Sequence, residues 1–206
     1  MDLNYKTINL FPSSIHSLEI KNFNDYKDQL VKETYQEKDE DPTGRKISNY
    51  GGWQSNQYNI HKYNSETLKK IIIDSLSGFL PMSENVSMVI EGWKNINFPG
   101  SFNVKHNHPR SNLSGVLWIK APKDSGNIVF TSPQFFDKFQ ELYSYNDEFK
   151  LKSNAYMTYY FIPKEGNILM FPSSLEHEVK ENKSNEDRIS YSFNIVLEHD
   201  VSKHEE

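Results

Sequence analysis

From residue 86 onward, hydrophobic and polar side chains alternate with a period of two, which is typical of β-strands that bury one face. Gly, Pro, Asn and Ser separate eight such segments, which read VSMVIEGWKNINF, SFNVKHNH, LSGVLWIKA, GNIVFTS, AYMTYYFIP, GNILMFPS, HEVKE and RISYSFNIVLEH. Short strands at this spacing predict a sandwich or a small barrel. One long segment, residues 133–154, interrupts them, and we expect it to form a partly helical insert over the mouth of the barrel.

The residues before the sheet have a different pattern. Alternation over residues 1–20 predicts one or two strands. Two stretches of helical spacing follow, and we expect Asn24-Asp25 to cap the first helix and Ser65 to cap the second. Between them, residues 37–59 are polar and rich in Gly and Asn, which predicts a long loop, and loops of this length are usually functional or disordered.

Within this loop, the segment Gly51–Ser55 combines two glycines with a tryptophan. A pair of glycines beside an aromatic residue is suited to a hinge, so we expect a lid that closes over a substrate.

A chain of 206 residues can bury one sizeable core, so we expect a single domain over residues 1–206. Residues 1–85 would form a supporting strand, two helices and a loop, and residues 86–198 the β core. The 13 Phe, 12 Tyr and 3 Trp predict a core rich in aromatic rings. The fold class expected is therefore mainly β with flanking helices.

Charge and composition exclude several classes of partner. The net charge is −5 and there is no block of Lys and Arg, so no nucleic acid partner is expected. No stretch approaches the apolar length of a membrane span and no basic leader begins the chain, so we expect no membrane partner and a cytoplasmic location. Because cysteine is absent, any metal must be held by histidine and carboxylate groups.

Three histidines form the candidate metal site. His106 and His108 are separated by one residue in a predicted strand, so both side chains face the same side. His177 follows a later strand, and remote histidines meet readily in an antiparallel barrel. Three nitrogen ligands would leave metal positions open for O₂ and an organic co-substrate. The alternative is that His106 and His108 are surface residues near the end of a strand.

Arg188 and Ser190 are the candidate anion anchor, because they share a face at the start of the last predicted strand. A guanidinium and a hydroxyl on that face can bind one carboxylate. In the alternative, Arg188 pairs on the surface with Glu186 or Asp187.

Five strings of the sequence, taken in order, resemble the Fe(II)/2-oxoglutarate oxygenases of the prolyl-hydroxylase-like branch. They are SNYGGWQS, NVKHNHPRSNLSGVLWI, SGNIVFTSP, EGNILMFPSSLEHEV and RISYSFN. The resemblance covers residues 45–197. It implies a double-stranded β-helix, that is, a jelly roll with a cupin-like barrel, and the cofactors Fe(II) and 2-oxoglutarate. It also implies that His106 and His177 bind the iron and that Arg188 with Ser190 binds the far carboxylate of 2-oxoglutarate.

The chain departs from this family pattern at one ligand. His108 occupies the position at which the family has Asp or Glu, so the triad has either three histidines or two histidines with a water or a remote acid. Glu178 is expected on the opposite face from His177 and outside the site. Asn103 lies three residues before His106 and is expected on the outer face unless a bulge intervenes.

The expected activity is that of a 2-oxoglutarate-dependent Fe(II) dioxygenase that hydroxylates a small-molecule or peptide substrate with O₂ and releases succinate and CO₂. A cupin-type metal enzyme that does not use 2-oxoglutarate is the alternative, because the same histidines resemble the two cupin motifs. A barrel that binds no metal is a third interpretation. A homodimer is left open by the sequence.

Overall fold

The computed structural model of the protein describes residue 4 and residues 6–80, 86–134 and 146–199. The helices are α1 (Asn24–Glu40), α2 (Glu66–Phe79) and α3 (Asp147–Ser153). The strands are β1 (His16–Glu19), β2 (Asn49–Tyr50), β3 (Trp53–Gln54), β4 (Tyr58–Asn59), β5 (Val86–Asn97), β6 (Phe102–His106), β7 (Leu113–Lys120), β8 (Ile128–Thr131), β9 (Thr158–Phe161), β10 (Asn167–Pro172), β11 (His177–Val179) and β12 (Arg188–His199).

The strands form two sheets, and all the pairings are antiparallel. The larger sheet has seven strands in the order β1-β10-β7-β12-β5-β3, with β4 also paired to β5, and the smaller sheet has five in the order β2-β6-β11-β8-β9. The longest pairing joins β5 to β12, each of 12 residues. The jelly-roll fold class expected from the sequence is confirmed.

Two hydrophobic clusters hold three layers together. One packs α1 and α2 against the outer face of the larger sheet, through residues such as Leu30, Ile72 and Ile119. The other lies between the sheets and joins Phe171 of the larger sheet to Phe130 of the smaller one. Because apolar side chains fill only one part of the space between the sheets, the rest is left for a polar cavity.

All eight predicted strands are present, and so is the cap of the second helix, where the Ser65 hydroxyl accepts a hydrogen bond from the backbone N–H of Leu68. The predicted cap of the first helix is wrong: the N-cap is Phe23, and its side chain makes no capping bond. Of the insert at 133–154, residues 135–145 lie outside the described residues, and Asp147–Ser153 is helical as expected.

The lid predicted at Gly51–Ser55 is also wrong. Trp53 and Gln54 form a short strand on β5 and are buried, and the indole N–H of Trp53 donates to the carbonyl oxygen of Asp41 at 2.8 Å. Buried backbone and side-chain hydrogen bonds tie this segment to the sheet. The sequence pattern of two glycines and a tryptophan here serves packing.

Candidate active site

The three predicted histidines lie together at one end of the smaller sheet. His106 ends β6 and His177 begins β11, and the two are cross-strand partners with ring centroids 4.4 Å apart. His108 lies just beyond β6, where its backbone N–H donates to the carbonyl oxygen of Ser173. One ligand atom from each of the three residues lies within 4.8 Å of the others, and the described residues contain no other such group of His, Cys, Asp or Glu. The cluster therefore fits a single metal ion.

Backbone carbonyl groups orient two of the rings. His106 Nδ1 lies 2.7 Å from the carbonyl oxygen of Val104, and His177 Nδ1 lies 2.9 Å from that of Leu175. A ring nitrogen that faces a carbonyl oxygen must carry the proton, so Nε2 of each ring keeps its lone pair. This is the usual arrangement of a histidine that binds a metal.

The ring of His108 lies beside a network of polar side chains. Asn194 Nδ2 lies 3.4 Å from His108 Nδ1, while the Ser114 hydroxyl donates to Asn194 Oδ1 at 2.8 Å and lies 2.7 Å from the Ser173 hydroxyl. These groups come from three different strands or turns, so the larger sheet helps to fix the position of His108.

Burial keeps all three rings neutral. Loss of water around the ring lowers the pKa of His177 to about 3 and that of His108 to about 4, and the neighbouring His106 contributes to both shifts. Burial also lowers the pKa of His106, against the raising effect of its bond to Val104. At neutral pH, protons therefore do not compete with a metal for these nitrogens.

Arg188 is buried in the same cavity without a counter-charge. It is 2% exposed, and its Nη1 donates to the carbonyl oxygens of Ser125 and Gly126 at 3.0 and 2.9 Å. Its Nε is buried with no hydrogen-bond partner, and in the described part of the chain Arg188 forms no salt bridge. Burial lowers its pKa to about 10, so it remains charged at neutral pH.

The surface pairing considered for Arg188 is absent. Glu186 pairs with Lys120 at 2.9 Å, and Asp187 accepts a hydrogen bond from the Tyr35 hydroxyl. Ser190 is buried and lines the cavity together with Arg188, as the period of two predicts. A buried, unpaired guanidinium is costly, and a carboxylate ligand would remove that cost.

The cavity wall is polar but contains no acid among the described residues. β5 and β12 contribute amide and hydroxyl groups to this wall, together with aromatic side chains. The lining residues are Ser48, Trp93, Asn95, Asn97, Asn103, His106, His108, Ser114, Gly115, Val116, Trp118, Ile128, Phe171, His177, Val179, Arg188, Ser190, Ser192 and Phe193.

The placement of Asn103 on the outer face is wrong. From His177 to Val179, β11 advances two residues while β6 goes from His106 to Asn103, so β6 carries one extra residue. This bulge leaves Val104 exposed and turns the buried Asn103 into the cavity. Glu178, as expected, points away from the site and pairs with Lys180 at 2.7 Å.

Sequence reasoning missed Asn95 and Asn97 as cavity residues. They alternate with Lys94 and Ile96, which face the helices on the other side of the sheet. The sequence did contain a signal for their position: two polar amides occur at alternate positions of a strand that is otherwise buried. Tyr159 and Tyr160 of β9 are 56% and 58% exposed and do not line the cavity.

A family model described as "Putative 2OG-Fe(II) oxygenase" matches residues 91–194, which include all three histidines, Arg188 and Ser190. No curated protein sequence matches the chain.

Solved structures of similar fold include a hydroxylase, a carbocyclase and a protein crystallised with 2-oxoglutarate. A prolyl-4-hydroxylase from Pseudomonas putida matches with a TM-score of 0.61 at 14% identity, over 89% of this chain and 92% of that chain. SnoK, a non-haem α-ketoglutarate-dependent carbocyclase from nogalamycin biosynthesis, matches with a TM-score of 0.60 at 10% identity, over 89% and 79% of the two chains. HygX from Streptomyces hygroscopicus, with nickel and 2-oxoglutarate bound, matches with a TM-score of 0.57 at 10% identity, over 89% and 82%.

The helices that the structure describes include none with the length and apolar character needed to cross a membrane.

Proposed function

Because the chain belongs to the 2OG-Fe(II) oxygenase family, whose cofactors are Fe(II) and 2-oxoglutarate, we propose that it hydroxylates a small-molecule or peptide substrate with O₂. We further propose His106, His108 and His177 as the iron ligands and Arg188 with Ser190 as the anchor for the far carboxylate of 2-oxoglutarate. Residues 1–206 would act as one domain.

One observation carries this proposal: a buried arginine without a counter-charge lines the same cavity as a cluster of three neutral histidines. The three histidines can bind a metal, and Arg188 has no counter-charge among the described residues. A dicarboxylate co-substrate beside a metal would satisfy both. The cupin alternative explains the histidines but gives Arg188 no role.

The protein's own contribution is binding and orientation. Carbonyl groups of Val104 and Leu175 hold Nδ1 of two rings, which aims their Nε2 atoms at a common point. Arg188 is itself held by two backbone carbonyls, so its direction is fixed before an anion arrives. When bound, Fe(II) and 2-oxoglutarate would supply the reductive activation of O₂, with 2-oxoglutarate oxidised to succinate and CO₂.

His108 accounts for the departure from the family pattern. It lies where the family has a carboxylate, and its ring centroid is 5.1 Å from His106 and 5.3 Å from His177. Imidazole is a good ligand for iron, so three histidines form an acceptable set. Hydroxylation is proposed from the likeness to a prolyl-4-hydroxylase, and the carbocyclase among the similar structures makes ring closure the outcome to test against it.

The test is a titration of the anaerobic Fe(II)-loaded protein with 2-oxoglutarate, followed by the weak visible absorption band of the chelate. We expect saturation in the native protein and in Arg45→Ala, an exposed arginine that serves as the matched control. Arg188→Ala should bind iron but need far more 2-oxoglutarate. A native protein that binds iron without developing the band would favour the cupin alternative.

A further inference from the structure

The larger sheet forms one wall of the cavity through β5 and β12, which pair over their whole length without a shift in register. Residues directly opposite each other on antiparallel strands share a face, so the pairs on the cavity side form a row. In order along the row they are Arg188 with Asn97, Ser190 with Asn95, Ser192 with Trp93 and Asn194 with Glu91. Asn194 Nδ2 lies 3.4 Å from His108 Nδ1, so the last of these pairs faces the histidines. Glu91 therefore lies on the cavity side of the sheet.

Burial decreases along this row. Arg188 and Asn97 are each 2% exposed, whereas Trp93 is half-buried and Glu91 is exposed. The indole ring of Trp93 lies beside the imidazole ring of His108, with the ring centroids 5.7 Å apart. The cavity therefore opens at the end where Trp93 and Glu91 lie, and a substrate that reaches the histidines from this side must pass both side chains.

The two ends of the row carry opposite charges, with Arg188 at the buried end and Glu91 at the open end. Gln57 Nε2 donates a hydrogen bond to Glu91 Oε2 at 2.7 Å, which orients the carboxylate without neutralising it. None of the ion pairs among the described residues includes Glu91. Glu198 lies further out on the same face, opposite Ser87, and is also exposed. The open end of the wall is therefore acidic.

We propose that the organic substrate of this site carries a positively charged amine or guanidinium group, which binds between Glu91 and Trp93. Residues two positions apart on one face of a strand lie about 7 Å apart, so one cation can contact both side chains. The carboxylate attracts the charge, and the face of an indole ring attracts a cation as well.

This assignment of the substrate rests on the proposed function. Because the Trp93 ring lies beside His108, a cation on that ring leaves room for only a short chain of atoms between the charged group and the metal. The substrate cation and the co-substrate anion would then lie at opposite ends of the row, with Glu91 at one end and Arg188 at the other. The metal position that O₂ requires stays free, because the cation binds to the protein and not to the metal.

The experiment uses the full chain loaded with Zn(II) and 2-oxoglutarate, so that binding is measured without turnover. The probes are butylguanidinium and butylurea, which have nearly the same shape and differ in charge, and saturation-transfer NMR measures their dissociation constants. We expect the native protein to bind butylguanidinium about tenfold more tightly than butylurea.

Glu91→Gln should weaken the binding of butylguanidinium by about threefold or more and leave that of butylurea unchanged, because an exposed ion pair contributes modestly. Trp93→Leu should weaken the binding of butylguanidinium as well, since leucine has no aromatic face. Glu40→Gln is the matched control, because it removes the same charge from an exposed residue of α1 and should bind both probes as the native protein does.

The proposal is overturned if the native protein binds butylurea as tightly as butylguanidinium, or if Glu91→Gln has no more effect than Glu40→Gln. It is also overturned if Glu91→Gln fails to bind Zn(II), because Glu91 would then be a metal ligand. The same titrations on the metal-free protein separate this proposal from the proposed function. Selective binding of butylguanidinium by a protein that takes up neither Zn(II) nor 2-oxoglutarate would contradict the proposed function and leave the cation site standing, so the two failures are distinguishable.

Discussion

Asn103 and His106 line the same cavity although they are three positions apart on one strand. A regular strand would place them on opposite faces, and the extra residue in β6 brings them together. Asn103 Oδ1 accepts a hydrogen bond from Asn97 Nδ2 at 3.1 Å, and Asn103 Nδ2 donates to the Ser48 hydroxyl at 3.2 Å. The bulge thus connects the two sheets through a chain of polar groups beside the candidate ligands.

Replacing Asn103 with alanine should therefore destabilise the protein by roughly 1–3 kcal/mol, because Asn97 Nδ2 loses its acceptor in a buried place. Urea unfolding of the metal-free protein measures the change. Asn107→Ala is the matched control, since Asn107 is exposed on the same segment and should change the free energy of unfolding by less than about 0.5 kcal/mol. Equal effects of the two substitutions would contradict the role given to the bulge.

Arg188→Ala should raise the apparent KM for 2-oxoglutarate by roughly 30-fold or more, because an unpaired buried carboxylate costs on the order of 2–5 kcal/mol. Arg188→Lys should raise the KM by an intermediate amount, because lysine keeps the positive charge but cannot donate two parallel hydrogen bonds as a guanidinium does. Succinate release at saturating iron measures KM. Iron affinity should stay nearly unchanged in both variants, and an unchanged KM in Arg188→Ala would remove Arg188 from the co-substrate site.

His177→Ala should weaken Fe(II) binding by more than about 100-fold, because removal of a ligand costs more than removal of a group that only orients one. Metal analysis after gel filtration measures this, with the exposed His61→Ala as control. His108→Asp should retain iron, because a carboxylate is also a suitable ligand. If His108→Ala leaves both iron content and turnover unchanged, His108 is outside the ligand set.

Gly126→Ala should disturb the anchor without touching a side chain of the site. Gly126 has φ +94°, an added Cβ would meet the Lys180 carbonyl oxygen, and its own carbonyl oxygen holds Arg188. We expect the free energy of unfolding to fall by roughly 3 kcal/mol or more, and the KM for 2-oxoglutarate to rise. Gly100→Ala is matched in φ, at +82°, but its Cβ would meet nothing within 4 Å, so it should cost only about 1 kcal/mol. Similar losses in the two variants would show that the backbone angle alone matters.

The metal-free protein should lose stability as the pH falls below about 6.5. In the unfolded chain the histidines titrate near their ordinary value of 6.5, whereas burial lowers the pKa of His177 to about 3 and that of His108 to about 4. Between these limits the unfolded chain binds more protons than the folded chain, so the free energy of unfolding decreases as the pH falls. The stability that the neutral histidines contribute is fully present above pH 6.5. Each histidine contributes a slope of up to about 1.4 kcal/mol per pH unit.

Urea unfolding of the metal-free protein across this pH range measures the slope. His177→Asn should make it shallower, because one of the groups that protonates only on unfolding has been removed. The same slope in both proteins would mean that His177 does not contribute to the pH dependence.

Strand positions and the fold class could be predicted from the sequence because the alternation in the second half of the chain is regular. Ser65 was also predictable as a cap, since a local hydrogen bond decides that position. His106, His108 and His177 were proposed from spacing and resemblance, and the antiparallel pairing of β6 with β11 brings them together.

Features that depend on tertiary contacts were not predictable in the same way. The bulge before His106 is a property of the pairing between β6 and β11, and nothing local in the string FNVKH specifies it. The glycines before Trp53 are typical of a flexible lid, but Trp53 is buried against β5 and the core, and this packing overrides the local sequence signal. The same applies to Phe23, which begins α1 by packing into the core and not by capping.

The two halves of the candidate site belong to different layers: His106 and His177 are part of the smaller sheet, whereas Arg188 and Ser190 are part of the larger one. A dicarboxylate that bridged them would act as a noncovalent staple between the sheets. The distance between the histidines and Arg188 would then depend on how the two sheets pack, which includes the contact of Phe130 with Phe171, whose ring centroids are 4.9 Å apart. The core packing would then act as a spacer that favours a co-substrate of one length.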